Sequence, residues 1–257
     1  MASDILGRLS VNVDFVYGGR DYREAIRELA GLGFNRMEVV FLKEKSFDEL
    51  RALQKELGIQ YELLMTDFVP WISGEGEDAF VESGKLRAKQ EAEMGCTKVA
   101  YFTDDVVPGM SHEETLRRIR NCAERMLPTF EQEGVRLLLE PINNTVDHPN
   151  ATLWDMYESF DMLRQVDSPS FRMLFDIYHM QIMHGDVTRH MLDNLDLIAH
   201  VHSAGNPGRN EIFLGELNYP HIFEALQAAG YAGAFGLEYS PTMPQAEGLK
   251  TIREMFA

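Results

Sequence analysis

Eight short apolar runs recur along the chain, separated by stretches of helical periodicity, and this alternation restricts the fold more than any other feature. The runs are LSVNVDF (9–15), RMEVVF (36–41), IQYELLM (59–65), KVAYF (98–102), VRLLLE (135–140), FRMLFD (171–176), IAHVHS (198–203) and AFGLEY (234–239). Most are apolar nearly throughout instead of alternating with polar residues, which suits parallel strands buried on both faces. Helical patterns fill the gaps at 21–33, 46–58, 80–95, 111–134, 152–166, about 186–195, 219–230 and 243–256. Ser46 with Glu49, and Ser111 with Glu114, have the spacing of capping boxes. Gly33, Gly58 and Gly95 supply stops. Pro128 marks a kink or interruption in the fourth helix.

Strand and helix alternate through 257 residues with no Pro/Ser-rich linker. The simplest architecture is α/β, a single (β/α)8 TIM barrel occupying residues 1–257, since that fold typically needs about 250 residues. The rival is an open doubly wound sheet. No G-x-G-x-x-G or G-x-x-x-x-G-K-[ST] follows the first strand, so a nucleotide-binding version has little support.

The net charge of −17 repels phosphate backbones and argues against nucleic acid as a partner. No apolar run is long enough for a membrane span. The first residues lack a basic region followed by an apolar one, so no secretory signal is expected. Cys96 and Cys122 have no C-x-x-C spacing, which fits a reducing cytoplasm better than a disulfide framework.

Strands five to eight end in residues that can bind a metal: Glu140, Asp176, His202 and Glu238. Each has an ordinary alternative taken singly. Glu140 is a strand-end charge, Asp176 a helix N-cap, His202 a core histidine and Glu238 an arginine partner. In a barrel of this kind the active site lies at the C-terminal ends of the strands, so four in consecutive strands point to one site. Three carboxylates and one imidazole suit Mg2+ or Mn2+ better than a structural zinc.

Neighbouring residues extend the set. His179 follows Asp176 by three positions and is a candidate donor to a substrate oxygen. His200 faces the same way as His202 on a strand. Arg209, after strand seven, is a candidate to hold a carboxylate bidentately. Glu216 is a candidate to fix a loop or bind Arg209, and Asn143 to orient a ligand. Phe15, Tyr17 and Trp71 are candidate pocket walls.

The segments LLLEPIN, LFDIYHMQ, HVHSAGNPGRNE and GELNYPHIFEALQAAGYAGAFGLEYSP resemble the hydroxypyruvate isomerase family, within the xylose-isomerase-like group of sugar isomerase and epimerase barrels. The strongest match covers residues 135–241. The resemblance implies a (β/α)8 barrel with one divalent metal held by Glu140, Asp176, His202 and Glu238. It implies that Glu140 and Glu238 form the acid/base pair and that His179 and Arg209 contact substrate. The chain departs from hydroxypyruvate isomerases at His202, where those enzymes often carry Gln and ketose 3-epimerases carry His. The epimerases also tend to have a further Glu soon after the first metal-binding one, where residues 144–147 here read Asn-Thr-Val-Asp.

The implied reaction is proton transfer between hydroxypyruvate and tartronate semialdehyde through a cis-enediolate, with Mg2+ or Mn2+ stabilising the developing negative charge. A ketose 3-epimerase or other sugar isomerase on the same barrel is the alternative. An inosose dehydratase-type lyase and a non-catalytic sugar-acid binder stand behind it. A related apurinic endonuclease would be expected to show more histidine ligands and a basic face. The expected partner is a small hydroxy-carbonyl or sugar substrate, with homo-oligomers open and membranes excluded.

Overall fold

The interior positions of the strands recur every second residue, and that periodicity decides what lines the barrel. In the computed structural model, which describes residues 2–43 and 45–257, eight parallel strands close on themselves in sequence order. They are β1 (Leu9–Asn12), β2 (Arg36–Val39), β3 (Gln60–Met65), β4 (Lys98–Tyr101), β5 (Arg136–Leu139), β6 (Phe171–Asp176), β7 (Ile198–Ser203) and β8 (Phe235–Leu237). A closed barrel leaves no edge strand.

Two apolar layers result. Leu63, Ala100, Leu138, Leu174 and Ala199 form a small cluster within the barrel. The alternate residues of the same strands, such as Leu64, Val99, Leu137 and Met173, join the larger core under the surrounding helices. Two residues beyond Leu138 lies Glu140, and two beyond Leu174 lies Asp176. The step of two therefore carries each carboxylate on the interior face at the C-terminal rim.

Helix ends follow the expected caps. The Ser46 and Ser111 hydroxyls accept from the amides of Glu49 and Glu114. Gly58 takes the left-handed conformation at φ 66° and ends Phe47–Leu57. Helix His112–Glu133 runs without interruption through Pro128. The carbonyl deprived of its partner belongs to Glu124, which is exposed like Pro128 itself, so water satisfies it. The first strand stops at Asn12, short of the expected 15, because the Asn12 side chain accepts from the amides of Asp14 and Phe15 and starts the short helix Val13–Val16. Helix Ile177–Met183, directly after β6, was not anticipated as a separate element.

Helix Glu77–Glu93 buries Glu91 completely, and neither carboxylate oxygen finds a partner. Burial pushes the Glu91 carboxyl well above the usual carboxylate range. Below the unfolded-state pKa the group is neutral in both states and costs nothing. As pH rises from there toward the raised native pKa, only the unfolded chain ionises and stability falls. Glu91→Gln should therefore raise the melting temperature at pH 8 more than at pH 4.5; equal shifts at both pH values would contradict this.

Candidate active site

The four residues from strands five to eight converge. One ligand atom each from Glu140, Asp176, His202 and Glu238 lies within 4.8 Å of the others. His202 Nδ1 is 3.7 Å from Glu140 Oε1 and 3.5 Å from Glu238 Oε2. This nitrogen is buried and has no hydrogen-bond partner. Oxygen donors and an imidazole lone pair at this spacing fit a divalent cation such as Mg2+ or Mn2+. The orphaned nitrogen is the clearest sign, because a buried polar atom is normally paired.

Asp176 caps a helix and still faces the site. Its Oδ1 accepts from the amides of Tyr178 and His179, capping helix Ile177–Met183. Its Oδ2 turns to the site, 3.6 Å from His179 Nε2 and 3.7 Å from Arg209. Glu238 likewise has an arginine partner: Arg209 approaches its Oε2 to 2.5 Å, while Asn12 donates to its Oε1 at 3.0 Å.

Burial raises the Glu238 carboxyl, but His202 and Arg209 outweigh it and bring it down to about 2. Burial raises Glu140, and the charges of Glu238 and Asp176 add to that effect. Burial also raises Asp176, against the pull of Arg209. Burial disfavours the charged His202 ring, yet Glu238 and Glu38 hold it well above the ordinary histidine range. The site thus concentrates negative charge among buried groups and draws in positive charge.

His179 is almost fully buried, and its Nδ1 lies 2.6 Å from the amide nitrogen of Asn143. That amide also donates to Asp147, so His179 Nδ1 accepts and the ring presents Nε2–H toward Asp176. Burial, assisted by Arg209, lowers His179 to about 3 and keeps it neutral. Asn143 therefore orients a side chain, where the sequence suggested a ligand.

A cavity of about 270 Å3 opens onto Glu140, His202 and Glu238, with His179 and Arg209 also in its lining and Asp176 buried behind them. Phe15, Phe41, Phe68 and Phe102 make its aromatic wall, with successive ring centroids 6.2, 5.5 and 4.4 Å apart. Arg209 stacks between Phe15 at 4.8 Å and Tyr178 at 5.4 Å.

Three expectations need correction. Trp71 does not line this cavity; it is fully buried against Phe80 and Tyr101, with its indole donating to the Phe102 carbonyl. Tyr17 is also buried elsewhere and bonds Glu28. Glu216 is exposed and meets Gln181, not Arg209. The buried acid that ties down that loop is Glu211, which accepts from the amide and hydroxyl of Thr242. Cys96 and Cys122 are buried, and burial raises both thiols, that of Cys122 to about 12.

The wall residues Phe41, Phe68 and Phe102 escaped sequence reasoning, and so did one acid beside the site. Glu38, in β2, is fully buried and meets His202 Nε2 at 2.8 Å. Its only signal was an acid inside an apolar run, in phase with Val40 at the cavity wall.

A family model described as xylose isomerase-like TIM barrel matches residues 26–255. The hydroxypyruvate isomerase of Escherichia coli K12 is 26% identical, over 95% of this chain and 97% of its own. The 2-oxo-tetronate isomerase of Cupriavidus necator is 29% identical, over 96% and 97%. A solved structure described as a family 2 AP endonuclease from Brucella melitensis superposes with a TM-score of 0.89 at 24% identity, covering 96% of this chain and 98% of the other.

Proposed function

Because the chain belongs to the xylose isomerase-like TIM barrel family, we propose that it is an isomerase of small hydroxy-carbonyl acids, interconverting hydroxypyruvate and tartronate semialdehyde or a close analogue such as an oxo-tetronate. The observation that carries this reading is the pair of carboxylates, Glu140 and Glu238, set beside the same imidazole nitrogen in a small cavity. Binding alone does not call for two potential bases.

Glu140, Asp176, His202 and Glu238 would hold a divalent metal, Mg2+ or Mn2+. When bound, it supplies Lewis-acid stabilisation of the negative charge that develops on the substrate oxygens. One of Glu140 and Glu238 removes the carbon-bound proton, and the other returns a proton to the neighbouring carbon. His179, neutral and held by Asn143, donates from Nε2 to a substrate oxygen. Arg209, clamped between two rings, neutralises the substrate carboxylate. The aromatic wall keeps water from the intermediate.

A charge-assisted hydrogen bond contributes about 1.5–3 kcal/mol. Arg209→Met should therefore raise KM for hydroxypyruvate by about 10–100-fold, at roughly tenfold per 1.4 kcal/mol. An unchanged KM would remove Arg209 from carboxylate recognition.

A panel of hydroxypyruvate, 2-oxo-tetronates and ketohexoses tests the substrate class. Turnover of the acids supports the proposal, and turnover confined to ketoses favours a ketose 3-epimerase, the reading that His202 supports. Among the described residues no helix is long and apolar enough to cross a membrane. The net charge of −17 supports an enzyme acting on small molecules and not on nucleic acid; a cytoplasmic location, in keeping with the buried free cysteines, and compatibility with homo-oligomers belong to the same proposal.

A further inference from the structure

Below the candidate metal ligands a polar column descends inside the barrel, and the chemistry proposed above makes no use of it. Glu38 divides its carboxylate between two imidazoles: Oε1 lies 2.9 Å from His200 Nε2, and Oε2 lies 2.8 Å from His202 Nε2. His200 Nδ1 lies 3.4 Å from Lys98 Nζ, which also donates to Glu62 at 2.8 Å. Glu38 and His200 are fully buried, and Lys98 nearly so. β8 makes room for the column with Gly236, where a Cβ would lie 2.5 Å from the His202 ring and 2.7 Å from Glu38.

Donor and acceptor chemistry determines the protons along this column. An ammonium only donates, so His200 Nδ1 accepts from Lys98. The neutral ring then carries its hydrogen on Nε2 and donates to Glu38. An ionised carboxylate only accepts, so His202 must also carry hydrogen on Nε2. In the neutral ring that a bound cation requires, the lone pair of His202 is then left on Nδ1, the buried nitrogen without a partner that faces Glu140 and Glu238.

We propose that Glu38 is a positioning residue that fixes His202 in the tautomer presenting Nδ1 to a divalent cation, while Lys98 fixes only the tautomer of His200. The proposal rests on the metal-site reading above. Carboxylates that orient a metal-binding histidine in this way typically contribute about 10–100-fold in metal affinity.

Glutamine at position 38 tests it, because an amide offers one acceptor and one donor to two imidazoles. With the NH2 toward His200, that ring would have to carry hydrogen on Nδ1, against the Lys98 ammonium. Lys98 therefore steers the NH2 toward His202, whose hydrogen moves to Nδ1 and blocks the metal. Removing Lys98 frees the amide to turn, so that its carbonyl oxygen meets His202 again.

The experiment is Mn2+ titration by calorimetry of the wild type, Glu38→Gln, Lys98→Met and the double variant, each shown by circular dichroism to be folded in chelator. Glu38→Gln should bind Mn2+ about 10–100-fold more weakly. Lys98→Met should stay near wild type, and the double variant should recover affinity over Glu38→Gln. A purely packing role for Glu38 would make the double variant worse than either single one. Wild-type affinity in Glu38→Gln, or no recovery in the double variant, overturns the proposal while leaving the metal site standing. No Mn2+ binding by the wild type overturns the metal reading itself, and this proposal with it. Should Glu38→Gln fail to fold, 15N NMR of the Mg2+-loaded wild type decides: hydrogen on His202 Nε2 is expected, and hydrogen on Nδ1 overturns it.

Discussion

Glu140→Gln and Glu238→Gln should each reduce turnover of hydroxypyruvate by at least about 10²–10⁴-fold, the usual contribution of one general acid–base group. The side-chain shape is kept and the proton-accepting oxygen is lost. In Glu238→Gln the amide oxygen can still accept from Asn12 or Arg209, which both contact Glu238, so the fold should survive. Both groups serve the same proton transfer, so the double variant should be little worse than either single one. Each variant also loses a charged donor to the cation, so Mn2+ should be supplied in excess during the assay. Near-normal turnover by either variant with its circular dichroism unchanged would remove that residue from the chemistry.

Gly236→Ala should be a small change with a large effect on the site. An added Cβ would sit 2.5 Å from His202 Cδ2, 2.7 Å from Glu38 Oε1 and 3.1 Å from His200 Nε2. None of these atoms has room to retreat, since all three side chains are essentially fully buried. Overpacking of this kind costs about 1–3 kcal/mol, and here the strain falls on a candidate metal ligand. We expect a lower melting temperature together with loss of Mn2+ binding and of isomerisation. A stable Gly236→Ala protein with wild-type activity would show that the His202–Glu38 geometry is not required.

The pattern of strands was legible because both faces of each strand are apolar and the helices between them carry recognisable caps. The four convergent residues were legible for the same reason: each ends its run in phase with the interior. What stayed hidden depended on contacts across the barrel. Glu38 and His202 are 164 residues apart and meet only because β1 and β8 close the sheet between β2 and β7. Asp176 was read as either cap or ligand, and the cap uses only Oδ1, leaving Oδ2 toward Arg209 and the site. Trp71 and Phe68 are three residues apart, yet only Phe68 reaches the cavity, and nothing local in the sequence separates them. Glu211 and Glu216 lie in one loop, and burial alone distinguishes the structural acid from the exposed one.

We propose that Glu140, Asp176, His202 and Glu238 hold one divalent cation on which isomerisation depends. The most direct test is the initial rate on hydroxypyruvate of exhaustively chelated protein, before and after titration with Mn2+. Negligible turnover is expected without metal, with recovery that saturates at one Mn2+ per chain. Full turnover by the metal-free protein would contradict it.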